Sequence, residues 1–183
     1  MTEPPTERDA VPLLAVTALG ADRPGIIARV TKVLLDHGGN LHDSTMTILG
    51  GQFAIVLLVQ ADTEAVDLER DLASATEDLG LVVAVRPVGP GADSPPPTHM
   101  LSVYGADRPG IVHRVAAALA EQSVNVTDLT TRVLEGDRPV YAMVLEISLP
   151  ESVEAEALAQ SLRTGGGDDA IEASIHPLDV TTF

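Results

Sequence analysis

The sequence predicts an α+β protein built from two ferredoxin-like βαββαβ units, each an antiparallel sheet with helices on one face. Three observations carry this. The stretch Gly20-Ala21-Asp22-Arg23-Pro24-Gly25-Ile26 returns unchanged as Gly105-Ala106-Asp107-Arg108-Pro109-Gly110-Ile111. Apolar periodicity around each copy runs strand, helix, strand, strand, helix, strand. A Pro- and Gly-rich segment, 88–98, separates the two runs and reads as a semi-stiff linker. An internal repeat settles architecture before any single motif does.

The elements follow in order. Residues 1–10 carry Pro4, Pro5, Glu3, Glu7 and Asp9 and read as a disordered polar tail. The first unit is expected over 11–87 and the second over 99–183. Leu13 to Leu19 reads as a strand. Ile26, Val30, Val33 and Leu34 place a helix from Pro24 to His37, closed by Gly38-Gly39. Leu41 to Leu49 and Phe53 to Val59 read as strands joined at Gly50-Gly51, a hairpin signal. Glu64 to Leu79 reads as a helix closed by Gly80, and Leu81 to Val85 as the fourth strand. The second unit repeats this. Its strands are Met100 to Tyr104, Val126 to Leu134, Val140 to Leu149 and Ala170 to Ile175. Its helices carry the stripe Ile111, Val115, Ala118 and Leu119, and then Ser152 to Leu162 before Gly165-Gly166-Gly167. Equivalent positions agree in type: Arg29 with Arg114, Asn40 with Asn125, Asp43 with Asp128, Thr45 with Thr130.

In the third strand Ile55, Leu57 and Val59 are expected to face the helices. The opposite face then shows Ala54, Val56 and Leu58, apolar where an open face is usually polar. The matching positions Ala142, Val144 and Glu146 are less so. This contrast predicts a homodimer packed mainly through the first sheet.

Composition excludes several functions. The formal net charge is −16, Lys32 is the only lysine, and Phe53, Tyr104, Tyr141 and Phe183 are the only aromatics. A direct nucleic-acid reader needs a basic footprint and stacking surfaces. There is no cysteine, hence no disulfide, thiolate metal site or Cys nucleophile. No apolar run reaches membrane-spanning length, and the N-terminus lacks a signal-peptide pattern, so a cytoplasmic protein is expected.

The repeated turn is the candidate site. Gly and Pro punctuate a strand-to-helix turn, with Pro24 and Pro109 expected in the first helical turn. Gly25 and Gly110 allow close approach to the backbone. The amides that follow, on Ile26 and Ile111, have no partner within the helix, and the helix dipole favours an anion there. The plainer reading is a helix start capped by Asp22 or Asp107. The duplication and the downstream residues favour the functional one.

Strand, Asp-Arg-Pro-Gly-Ile turn, helix and Asn-x-x-Asp together resemble the ACT domain. Apart from tail and linker, the chain is similar to tandem ACT regulators of the glycine-cleavage repressor type. The motif also resembles the ACT segments preceding phosphoserine phosphatase and formyltetrahydrofolate deformylase catalytic domains. The resemblance implies domains paired side by side into an eight-stranded sheet, with small ligands, commonly amino acids, at the seam. Carried over, the turn of one domain faces the start of its neighbour's second strand. That sets Asp22 and the Gly25 amides near Asn125, and Asp107 and the Gly110 amides near Asn40. The amides would take a carboxylate and the Asp an ammonium, while Asn serves either end. Glycine or serine is the guessed ligand. Gly38-Gly39 and His42 become Ser123-Val124 and Thr127 in the second copy, so the two sites need not be equivalent.

No catalytic residue, metal site or cofactor is expected. His37, His42, His99, His113 and His176 show no metal-binding spacing, and no Ser lies in a nucleophile elbow. His113 reads as solvent-facing or capping. Arg23 and Arg108 are expected to pair with neighbouring acids, and Arg29 and Arg114 to be surface groups near the seam. The expected role is an amino-acid-sensing regulator acting through an unidentified regulator or enzyme. The alternatives are an assembly protein without ligand, or a non-catalytic regulatory subunit of an amino-acid or one-carbon enzyme.

Overall fold

Leu14, Val16 and Ala18 are buried while Thr17 and Leu19 between and beyond them are exposed, the period-two pattern of a sheet covered on one face. The computed structural model describes residues 11–89, 95–136, 139–164 and 171–178. The expected tail, part of the linker, Gly165-Gly166-Gly167 and Ala170 lie outside the described residues. The chain divides into two compact units, one for each copy of the repeat.

In the first unit the order is β1 (Leu13–Ala21), α1 (Ile26–Asp36), β2 (Asn40–Leu49), β3 (Gln52–Gln60), α2 (Ala65–Ala75) and β4 (Val82–Pro87). The sheet is antiparallel with strand order β2-β3-β1-β4. The second unit repeats it with β5 (His99–Ala106), α3 (Ile111–Glu121), β6 (Asn125–Leu134), β7 (Val140–Ser148), α4 (Ala155–Thr164) and β8 (Glu172–Pro177), in the order β6-β7-β5-β8. Both units are the expected ferredoxin-like βαββαβ. Each owns a core. Leu14, Val16, Phe53, Leu57 and Val59 pack with Val30, Leu34, Leu68 and Leu72 in the first. Leu101, Val103, Met143, Leu145 and Ile147 pack with Val115, Leu119, Leu158 and Leu162 in the second.

The reading of the second helix is corrected. The helix expected over Glu64 to Leu79 stops at Ala75, and Glu77–Leu79 form a separate 3₁₀ turn. Thr76 is fully buried and its hydroxyl donates to the Leu72 carbonyl at 2.8 Å, so the chain turns inward there. On the outer face of α2, the exposed Arg70 guanidinium hydrogen-bonds Asp71 and holds its carboxyl below the usual carboxylate range.

The end of α1 shows what the repeat preserves beneath a change of residue. Gly38, at φ +65°, and Gly39 return amides to the carbonyls of Leu35 and Leu34. In the second unit Ser123 takes the same left-handed place at φ +57°, and the amides of Ser123 and Val124 bond Ala120 and Leu119. A non-glycine residue is disfavoured there by about 1 kcal/mol. Ser123→Gly is therefore expected to stabilise the second unit by about that amount, raising its melting temperature by about 4–8 °C. Calorimetry would read the shift, and an unchanged or lower value would contradict it.

The two edges of each sheet differ. On β4, the Glu69 carboxylate accepts the backbone N–H of Val85 at 2.7 Å. On β8, Arg163 Nε donates to the Ala173 carbonyl at 2.8 Å. A helix side chain thus occupies each of those edges. On β2 and β6 every residue is exposed, and no helix side chain bonds their backbone among the described residues. A ten-residue uncovered edge is a ready template for pairing.

Candidate functional site

Both copies of the repeated turn adopt one conformation. Gly25 and Gly110 are the residues before the first helical turn, at φ +95° and +97°. Only glycine holds that conformation without strain, and this is why the motif carries it. The space beyond is open, since a Cβ at either position would meet nothing within 4 Å. The helices begin at Ile26 and Ile111, so Pro24 and Pro109 precede the helix rather than form its first turn. A left-handed Gly must intervene before the chain can turn helical.

The capping reading is also corrected. No side chain caps either helix. The backbone amide of Asp22 donates to the Gly51 carbonyl at 2.9 Å, tying the turn to the β2–β3 hairpin. The first bond back into each helix is from Arg29 to Gly25, or from Arg114 to Gly110. The amides of the first helical turn, Ile26 among them in α1 and Ile111 in α3, therefore have no acceptor among the described residues. Asp22, Pro24, Gly25, Asp107, Pro109 and Gly110 are all exposed. Ile26 is 2 % exposed and belongs to the core, so only its amide can face a ligand. Ile111 is half-buried against the second core.

Asn40 and Asn125 are exposed and open the edge strands β2 and β6. The turn and the Asn lie at opposite ends of the same sheet. Gly20 pairs with Phe53, and Asn40 with Gln60, seven residues further along β3. That is about 24 Å of strand. In the second unit Gly105 pairs with Tyr141 and Asn125 with Ser148, the same separation. Within one unit these groups cannot meet on one small ligand.

Asn-x-x-Asp also proves to be a β-bulge. Register shifts between Leu41 and Asp43, and between Val126 and Asp128. The extra residue, His42 or Thr127, interrupts the period-two alternation of its strand.

Two clefts border the candidate residues. One of about 490 Å³ lies against Ala28, Thr31, Lys32, Leu35, Gly39 and Leu41, and so flanks Asn40. The other, about 430 Å³, is lined by Tyr104, Gly105, Ala106, Pro139, Val140 and Glu172, beside the second turn. No motif in the sequence marks Thr31, Lys32, Tyr104 and Glu172 as cleft-lining, because only tertiary structure brings them to these positions. Arg29 lies at the surface, as expected, its side chain 41 % exposed. Its guanidinium bonds the Ala75 carbonyl at 3.2 Å and pairs with Asp78, joining α1 to the end of α2 inside one unit. Arg23 makes no ion pair among the described residues. His113 is exposed, as expected. No group of three His, Asp or Glu is placed to hold a metal among the described residues. No described helix is long and apolar enough to cross a membrane.

Two βαββαβ units with an identical Gly-capped turn define the class, a tandem α+β repeat of ferredoxin-like domains. The chain belongs to the ACT-domain family: ACT-domain models match residues 13–86 and 99–160. It is 28% identical over 155 residues to the glycine cleavage system transcriptional repressor of Escherichia coli, a match spanning 82% of each chain. It is 30% identical over 145 residues to phosphoserine phosphatase SerB2 of Mycobacterium tuberculosis, covering 74% of this chain but 34% of that one. Among solved structures, an unknown protein from Galdieria sulphuraria superposes with a TM-score of 0.76 at 25% identity, covering 91% of this chain and 98% of that one.

Proposed function

We propose that the chain is an amino-acid-sensing regulatory protein without chemistry of its own. A small amino acid would sit in the crevice shared by its two ACT domains, and the signal would pass to a partner protein. One observation carries this reading. In each unit the turn and the Asn stand at opposite ends of one sheet, so a ligand touching both would need two units. Open edges on β2 and β6, against blocked edges on β4 and β8, support pairing along the former. The helix-end amides would take the carboxylate, Asp107 or Asp22 the ammonium, and Asn40 or Asn125 the remaining polar contact.

The clefts beside Asn40 and beside the second turn favour Asp107, Gly110 and Asn40 as the working site. At the other, Ser123-Val124 replaces Gly38-Gly39 next to Asn125 and adds bulk. Glycine and serine are the first candidates by size. The Escherichia coli relative is a transcriptional repressor by name, which supports a partner in gene regulation. The phosphatase match, confined to a third of that enzyme, supports the alternative of an enzyme partner. Binding would regulate only through different affinity in two arrangements of the units.

Thermal unfolding with each amino acid in turn tests the reading. A ligand at a hundred times its dissociation constant should stabilise the chain by about 2.7 kcal/mol. No amino acid raising the melting temperature at 10 mM (on the order of a hundred dissociation constants for a 0.1 mM site) would leave an assembly protein instead.

A further inference from the structure

We propose that the open face of the first unit's sheet is a homodimer interface, stacked on a second copy about a two-fold axis parallel to the strands. This goes beyond the amino-acid reading and does not depend on it. The face is set out in rows by the strand register. Asp43, Leu58, Ala15 and Arg86 form one row across β2, β3, β1 and β4. Thr45, Val56, Thr17 and Ala84 form the next, and Thr47, Ala54, Leu19 and Val82 the third.

These rows present an apolar surface where water would ordinarily select polar residues. Leu19, Val56 and Val82 are 51, 43 and 72 % exposed. The Thr17 hydroxyl donates to the Ala84 carbonyl at 3.3 Å, so its polar group is already partnered within the sheet. The equivalent face of the second sheet carries Asp128, Glu146, Arg132 and Glu172 in its corresponding rows. The first face alone is nearly free of charge.

Its two charges select the occupant. Asp43 and Arg86 stand in one row at opposite edges, about 14 Å apart. Neither has an ion-pair partner among the described residues. One Asp43 oxygen accepts the Ser44 amide at 2.7 Å, which leaves the other for a cation. A two-fold axis running between β1 and β3 lays β2 over β4 of a second copy, and β3 over its β1. Asp43 then faces Arg86 of the second copy, twice. Leu58 meets Ala15 and Ala54 meets Leu19, large on small in the outer two rows, while Val56 meets Thr17 of about the same size. Sheets stacked about 10 Å apart leave room for such pairs. An axis across the strands would instead leave both charges unmatched. The patch is about 20 Å square, and two of them would bury on the order of 1,000 Å², the lower bound for a specific interface.

Sedimentation equilibrium of the full chain from 1 to 100 µM tests the proposal (concentrations set to bracket a roughly micromolar dimer). The expected result is a dimer that Val56→Glu turns into a folded monomer. Asp43→Arg and Arg86→Asp should each weaken it by about tenfold or more, and the double swap should restore it. A monomer at the highest concentration would overturn the interface. A double swap no better than either single change would overturn the parallel axis.

Discussion

Asp107→Ala and Asn40→Ala are each expected to weaken binding of the responsive amino acid by about ten- to a hundredfold. A hydrogen bond to a charged group contributes about 1.5–3 kcal/mol, and every 1.4 kcal/mol is tenfold. Asp107 precedes a helix whose first amides have no acceptor among the described residues, so it would supply the negative charge beside an otherwise positive helix end. Asn40 lies beside the cleft formed by Ala28, Thr31 and Leu35. Because both act on one ligand, the double variant should lose less than the sum of the singles. Asp22→Ala and Asn125→Ala act on the other site and should leave this one intact. Isothermal calorimetry with the full chain gives all four values. Loss of the same site from Asp107→Ala and Asn125→Ala would show that the pairing between units runs the other way.

Phe53→Ala is expected to cost about 3–5 kcal/mol, the largest stability effect in the chain. Phe53 is 2 % exposed and is the one aromatic in the first core. A small domain has about 5–15 kcal/mol in all, so the loss approaches the stability of the first unit. The second core shares no residue with the first. Calorimetry should therefore show the first unit's transition lowered by more than 10 °C (at about 4–8 °C per kcal/mol), with the second transition still present. Simultaneous loss of both transitions would mean that neither unit folds alone.

Much of this architecture could be read from residues. The helical stripe of Ile26, Val30, Val33 and Leu34 and the alternation of Ile55, Leu57 and Val59 each have one period. Local pattern and buried face agree there. Reading failed where tertiary structure decides. Pro24 fits a first helical turn in isolation, but the left-handed Gly25 takes the position before the helix. Arg29 gives no sign of its partner in the sequence, because Asp78 reaches it from the 3₁₀ turn that follows α2. The bulges at His42 and Thr127 leave no mark on composition, because an extra residue in a strand changes register rather than residue type. The contrast between blocked and open sheet edges depends on Glu69 and Arg163, whose partners lie elsewhere in the fold.

The account turns on one small zwitterion touching a helix end in one unit and a strand start in the other. Amide chemical shifts recorded while glycine or serine is added test this directly. The account predicts that Gly110, Ile111 and Asn40 shift together along one saturation curve. Shifts confined to a single unit, or none at the turns, would contradict it.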